Sequence, residues 1–120
     1  MASLAGRRVL VVEDETLVAM LVEDTLADAG VVVLGPVATV SEALAMLDAQ
    51  RPDLAVLDLN LAGETSEPVA DRLIQLEVPF IVASGYGAAG LPQRLAGVPV
   101  LAKPYAPEDL TAALSRLPVT

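Results

Sequence analysis

Short apolar segments alternate along the chain with longer segments that carry helix signals. The apolar segments lie at 9–12, 31–34, 54–57, 80–83 and 98–102. Most are unbroken runs rather than alternating ones, which is typical of strands buried on both faces of a sheet. The alternation predicts a parallel α/β sheet, and the flavodoxin-like (βα)5 sandwich with strand order 2-1-3-4-5 is the common five-stranded arrangement.

Local signals predict where the helices begin and end. Thr16 is placed to cap a first helix that Gly30 ends, and Ser41 is placed to open a second helix. Ser66, followed by an acid and a proline, has the pattern of a helix start. Two more helices are predicted, a weak glycine-rich one at 87–96 and a last one at 107–117. We expect a single domain over 1–120, with its core at about 7–117 and no output domain.

The amino-acid composition then argues against several classes of partner and of metal site. The chain is 54% hydrophobic, has a net charge of −9, and contains neither cysteine nor histidine. Its acidity disfavours direct contact with nucleic acid or an anionic membrane, because both attract clustered Lys and Arg. Without Cys and His there is no thiolate or imidazole metal site and no histidine base. We therefore expect a cytoplasmic protein that binds neither DNA nor membranes directly.

Polar side chains follow four of the predicted strands at the point where each strand ends. Glu13 and Asp14 follow the first strand, Asp58 the third, Ser84 the fourth and Lys103 the fifth. Each alone has an ordinary explanation, as a helix-start acid, a turn residue, a loop serine or a solvated lysine. Together they favour a site, because ligands of such sheets bind outside the carboxyl ends of the strands.

The chemistry of this group of residues points to magnesium and phosphorus. Mg²⁺ prefers carboxylate oxygens and water, and it keeps several of its waters when it binds. A carboxylate beside Mg²⁺ can also act as a nucleophile toward phosphorus and form an acyl phosphate. The lysine and the hydroxyl would then stabilise the negative charge on the phosphoryl oxygens.

Four motifs, "VVEDE", "LAVLDLNL", "ASG" and "LAKP", resemble the receiver domain of bacterial two-component response regulators. The resemblance implies that Asp58 accepts a phosphoryl group from a sensor histidine kinase. It also implies that Asp14 binds Mg²⁺ directly, that Glu13 binds it largely through water, and that Asn60 supplies its backbone carbonyl. Glu15 has no such role in the family and is expected only to favour the start of the first helix.

The same resemblance assigns the remaining positions. Lys103 would contact one phosphoryl oxygen, and Ser84 would move to bond another. Many receivers carry an aromatic switch residue three positions before the lysine, where this chain has Val100. The stretch "PFIVASGYG" resembles the receiver subclass named for its Phe-Ala-Thr-Gly-x-Tyr motif (FAT GUY), which also lacks that aromatic and is associated with HWE-type kinases. Tyr86 is therefore the candidate replacement in a switch formed with Ser84.

Two alternatives to a phosphorylated switch remain at this point. A phosphohydrolase of the haloacid dehalogenase type requires a second aspartate two residues after the first, where this chain has Asn60. A scaffold of the same fold would act without phosphorylation. We expect a signalling protein whose only chemistry is self-phosphorylation and autodephosphorylation at Asp58, acting on an unidentified downstream protein.

Overall fold

A five-stranded parallel sheet forms the centre of the molecule in the computed structural model, which describes residues 4–61, 63–85 and 87–118, apart from the Ala88 side chain. The strands are β1 (Arg8–Val12), β2 (Val32–Val37), β3 (Leu54–Asp58), β6 (Phe80–Ser84) and β7 (Val100–Ala102). Their order is β2-β1-β3-β6-β7, which confirms the predicted 2-1-3-4-5 arrangement of the five apolar segments. A short antiparallel hairpin, β4 (Asn60–Leu61) and β5 (Glu64–Thr65), follows β3.

Four α-helices cover the two faces of the sheet in the described part of the chain. They are α1 (Thr16–Asp28), α2 (Val40–Ala49), α3 (Glu67–Gln75) and α4 (Pro107–Ser115). Helices α1 and α4 pack on one face, and α2 and α3 pack on the other. Within those described residues, every helix is too short or too polar to cross a bilayer.

Strand β3 shows why the apolar runs are unbroken. Leu54 and Val56 point to the face covered by α1 and α4, whereas Ala55 and Leu57 point to the face covered by α2 and α3. All four side chains are buried, because successive residues of a strand face opposite sides and both sides carry helices. The polar residue that ends the strand, Asp58, is therefore carried to the rim of a fully covered sheet.

The helices begin close to the predicted positions, but two of the three predicted capping residues are wrong. Helix α1 begins at Thr16, so Glu15 occupies the N-cap position and Thr16 does not cap. Helix α2 is capped by Thr39 rather than Ser41, since the Thr39 hydroxyl accepts a 3.1 Å hydrogen bond from the Glu42 amide. Ser66 stands at the N-cap position of α3 without making a side-chain cap bond. The end of α1 is as predicted, with Gly30 at a positive φ of 80°.

The weak helix predicted at 87–96 forms two 3₁₀ turns instead, Gly87–Gly90 and Gln93–Leu95. Glycine is costly inside an α-helix, which explains why this crossover is not α-helical. The second turn is nevertheless anchored, because Leu95 is buried in the core. Arg94 adds ion pairs to α3, with Nε 3.0 Å from Glu67 and Nη2 3.1 Å from Asp71.

Candidate functional site

The carboxyl ends of β1, β3, β6 and β7 meet at one rim of the sheet, as the strand order requires. Asp58 ends β3 and is paired with Ala83 of β6, and Ser84 follows as the buried last residue of β6. The Lys103 amide donates a 2.9 Å hydrogen bond to the Ser84 carbonyl, which ties the end of β7 to β6. The Lys103–Pro104 peptide bond is cis.

Three carboxylates form a cluster at this rim. One oxygen from each of Glu13, Asp14 and Asp58 lies within 4.8 Å of the others. Glu13 and Asp58 are buried, whereas Asp14 is half-buried and keeps the cluster in contact with solvent. An all-oxygen set that opens to water suits Mg²⁺, which binds through a few carboxylates and retains water ligands.

Lys103 lies against this cluster. Its Nζ is 2.9 Å from Oε1 of Glu13 and 3.1 Å from Oδ2 of Asp58, and the more exposed carboxylate of Glu15 is 3.7 Å away. Burial disfavours the charged amine, but the hydrogen bonds to Glu13 and Asp58 outweigh it and raise the pKa of Lys103. The lysine is therefore held as a cation between two buried carboxylates.

The second oxygen of Glu13 has a different partner. Oε2 accepts a 3.1 Å hydrogen bond from the backbone amide of Glu15, at the N-terminus of α1. The Glu13 amide donates to the Val37 carbonyl at 2.9 Å, so the end of β2 holds its backbone. The N-terminus of a helix and a lysine both favour a negative charge, which explains how three consecutive acids are accommodated here.

The surroundings of Asp58 disfavour the ionised form of its carboxyl. Its pKa is raised to about 7, first by burial and then by the hydrogen bond and negative charge of Glu13, with Lys103 opposing the shift. Opposite charge nearby favours the ionised form of a carboxyl. A divalent cation beside Oδ1 or Oδ2 would supply that charge, and the residues present therefore fit the ion.

The other predicted positions are Asn60, Val100 and Tyr86. Asn60 lies two residues after Asp58 in β4, paired with Thr65, and its side chain is exposed. Val100 begins β7 and pairs with Val82 of β6, half-buried. Tyr86 lies outside the described residues.

Two features of the rim were missed in the sequence. Tyr105 is half-buried beside the cluster, where burial and the negative charge of Glu13 raise its pKa to about 12, so it is a neutral phenol. The sequence signal for Tyr105 was its position two residues after Lys103. A groove of about 360 Å³ also opens there, lined by Glu15, Val18, Leu21, Lys103, Pro104 and Tyr105.

The outer face of α1 continues this groove as an apolar surface. Leu17 is 82% exposed, and Met20 and Leu21 are also largely exposed. Their spacing of three and four residues places them on one side of the helix. This surface could have been predicted from the sequence, because "TLVAMLV" has apolar residues on more sides of the helix than the side that packs against the core. Contiguous exposed apolar side chains commonly mark a contact surface for another protein.

Comparison with known proteins agrees with this geometry. The family model described as "Response regulator receiver domain" matches residues 9–115. The chain belongs to this family. A response regulator receiver is a signalling domain of two-component systems rather than a classical enzyme, and the flavodoxin-like fold found here is the one expected for it.

Individual relatives include regulatory proteins of several bacteria. It is 39% identical to SdrG from Sphingomonas melonis, whose solution structure superposes with a TM-score of 0.80 over 95% of this chain and 96% of that one. It is 33% identical to the phyllosphere-induced regulator PhyR of Methylorubrum extorquens, over 90% of this chain and 42% of PhyR. It is 26% identical to the transcriptional regulatory protein PdtaR of Mycobacterium tuberculosis, over 90% of this chain and 55% of PdtaR. The receiver thus spans about half the length of these two curated relatives.

Proposed function

We propose that this receiver takes a phosphoryl group onto Asp58 from a phosphohistidine of a sensor kinase and changes conformation in response. The supporting observation is the position of Asp58, buried and hydrogen-bonded to Lys103, with carboxylate oxygens of Glu13 and Asp14 within 4.8 Å. A buried aspartate beside one lysine and two further acids suits phosphoryl transfer assisted by a metal.

Each residue has a distinct role in this reaction. An oxygen of Asp58 attacks phosphorus, the bond from phosphorus to the donor's imidazole nitrogen breaks, and the imidazole leaves with that electron pair. Lys103 stays near Asp58 and stabilises charge on a phosphoryl oxygen, and Ser84 donates its hydroxyl to another. Water later attacks phosphorus, the bond from phosphorus to the Asp58 oxygen breaks, and inorganic phosphate leaves as the Asp58 carboxylate is restored.

Mg²⁺ would be held by Asp14, Asp58 and the backbone carbonyl of Asn60, with Glu13 acting largely through water. The ion, when bound, neutralises negative charge as the phosphoryl group approaches the acids. Lys103 itself bonds Glu13 and Asp58. Metal and lysine together therefore balance the charge of the acids and of the incoming phosphoryl group.

The proposal is tested by incubating the protein with Mg²⁺ and radiolabelled acetyl phosphate, a small donor that needs no kinase. The expected result is a stable protein-bound label that hydroxylamine removes, since acyl phosphates are cleaved by this nucleophile. Continuous release of phosphate without a trapped label would instead support a phosphohydrolase. No label and no turnover would support a scaffold that acts without phosphorylation.

Mg²⁺ is expected to raise the thermal stability of the protein, because the ion relieves repulsion among the clustered carboxylates. At about ten times the Kd of the ion, the free energy of unfolding should rise by about 1.4 kcal/mol, observed as a higher Tm. An Asp14→Asn substitution should remove most of this gain, whereas Asp24→Asn, on the exposed surface of α1, should leave it intact. Equal Mg²⁺ stabilisation of both variants would place the metal elsewhere.

We place the contact surface for the kinase on the exposed apolar residues of α1, because one of them, Leu21, lines the groove beside Lys103. A Leu17→Asp substitution should slow transfer from a cognate kinase by roughly tenfold, since buried apolar anchors dominate binding energy at interfaces. Labelling by acetyl phosphate should not change. The matched control is Ile74→Asp, which alters an equally apolar, exposed residue on α3 across the sheet. Similar loss in both variants would show that α1 is not the docking face.

The conformational response is proposed to run through the segment after β6. Val100 is aliphatic and cannot act as a rotating ring, so Ser84 and Tyr86 are the proposed switch residues of a FAT GUY receiver, paired with an HWE-type kinase. The two 3₁₀ turns at Gly87–Gly90 and Gln93–Leu95 give this segment less regular hydrogen bonding than the α-helical crossovers. Binding of beryllofluoride with Mg²⁺, a phosphoryl mimic, should therefore shift the NMR signals of 84–97.

A further inference from the structure

The peptide groups of Leu59, which separates Asp58 from Asn60, are held from two directions. The Leu59 amide donates a 3.0 Å hydrogen bond to the Ala83 carbonyl of β6. The Leu59 carbonyl accepts two bonds from Ser66, one from its backbone amide and one from its hydroxyl, both at 2.9 Å. The segment that follows the phosphoacceptor is thus tied both to the sheet and to the start of α3.

Ser66 makes this bond instead of the one that its position favours. It stands at the N-cap of α3, where a serine oxygen usually accepts a hydrogen bond from an amide of the first turn. Here the hydroxyl donates to Leu59, seven residues earlier, and the side chain is 1% exposed. Ser66 is thus buried, leaves α3 without a side-chain cap, and bonds the loop beside Asp58. Its hydroxyl holds that loop rather than the first turn of its own helix.

Fixing the Leu59 carbonyl constrains the residue after it. The peptide unit is planar, so the Leu59 carbonyl and the Asn60 amide share one plane. When that plane is held, the direction of the Asn60 carbonyl depends only on the Asn60 dihedral angles. Asn60 is further restrained by its pairing with Thr65, the residue just before Ser66.

We infer that Ser66 is a positioning residue for the metal site, which holds the 58–60 segment so that the Asn60 carbonyl and the Asp58 carboxylate are in place to receive Mg²⁺. The inference rests on the proposed function, since it takes Asn60 as a metal ligand. Groups that orient metal ligands from outside affect metal affinity even though they never touch the ion.

The test compares Ser66→Ala with Ser115→Ala. Ser115 is the matched control because its hydroxyl also donates to a backbone carbonyl, that of Thr111 at 2.7 Å, but within α4. Mg²⁺ titrations followed by amide NMR shifts should show an affinity about 10-fold weaker in Ser66→Ala, at the lower end of the effects of other outer groups at metal sites. Affinity in Ser115→Ala should stay within about twofold of the wild type, since the bond that is lost joins two residues of α4 and neither is a proposed ligand.

Urea unfolding of both variants without Mg²⁺ separates positioning from general loss of stability. Similar destabilisation of the two with a weaker Mg²⁺ affinity only in Ser66→Ala supports the inference. Equal Mg²⁺ affinity in the two variants would overturn it and leave the proposed function standing. Absence of Mg²⁺ binding in the wild type would overturn both, so the two failures are distinguishable. The Asn60 amide signal should also move in metal-free Ser66→Ala, and an unchanged signal would contradict the inference.

Discussion

Replacing Asp58 with asparagine is expected to abolish labelling by acetyl phosphate completely. An amide oxygen is a far weaker nucleophile than a carboxylate, and no acyl phosphate can form on it. The same variant should lose the beryllofluoride-induced NMR shifts at 84–97, because the mimic binds to the phosphoacceptor oxygen. Gel autoradiography with hydroxylamine cleavage and amide spectra of the two proteins measure these effects.

Loss of label must be separated from loss of fold. Without Mg²⁺, Asp58→Asn should be more stable than the wild type by about 1–2 kcal/mol, because it removes a buried charge next to Glu13. Lys103 keeps its 2.9 Å bond to Glu13 in the variant. The matched control is Asp53→Asn at the other end of β3, where the retained oxygen can still accept the 2.8 Å bond from the Arg8 amide. Undiminished label on Asp58→Asn would assign the phosphoacceptor to another residue.

The sheet and the membership of the rim could be predicted because they depend on patterns local to each strand. The unbroken run that ends in Asp58 signals burial on both faces, and parallel strands covered by helices must bring their carboxyl ends to one rim. The contacts made there depend on backbone geometry. One oxygen of Glu13 bonds the Glu15 amide and the other bonds Lys103. These two bonds can be assigned only when the positions of β1, α1 and β7 are known.

The helix caps show a second limit of sequence patterns. The stretch "TVSE" offers two hydroxyls, and the structure uses Thr39, which stands three residues before Glu42 as a capping box requires. That spacing was visible in the sequence and would have chosen Thr39 over Ser41. For Ser66 no local signal sufficed, since its hydroxyl bonds Leu59, which the β4–β5 hairpin brings next to it.

The crossover at 87–96 shows a third limit of sequence patterns. Glycines there predicted a weak helix, and the absence of any α-helical turn in this backbone follows from the same glycines. The segment is held instead by contacts with residues that are distant in the sequence. Leu95 is buried in the core, and Arg94 forms ion pairs with two acids of α3, neither of which a local pattern reveals.

Replacing Lys103 with methionine is expected to destabilise the metal-free protein by about 3 kcal/mol, since removing one partner leaves buried carboxylates uncompensated. Methionine matches the length of the lysine stem, so the main loss is the charge that bonds Glu13 and Asp58. Urea unfolding with EDTA at about pH 9, above the pKa of about 7 of Asp58, measures the change while this carboxyl is ionised in the wild type. The control is Arg72→Met, whose ion pair with Asp48 is exposed and should cost less than about 1 kcal/mol.

A second substitution tests whether the loss comes from repulsion between the two acids. In Lys103→Met combined with Asp58→Asn, only Glu13 of the pair remains charged, and it keeps its bond from the Glu15 amide. Stability regained in the double variant should therefore exceed the gain that Asp58→Asn gives in the presence of Lys103, a coupling expected of groups in direct contact. Additive effects of the two substitutions, or a Lys103→Met cost no larger than that of Arg72→Met, would show that Lys103 does not balance these charges in the folded protein. Recovery would instead locate the charge imbalance at Asp58, where the incoming phosphoryl group and Mg²⁺ would have to be accommodated.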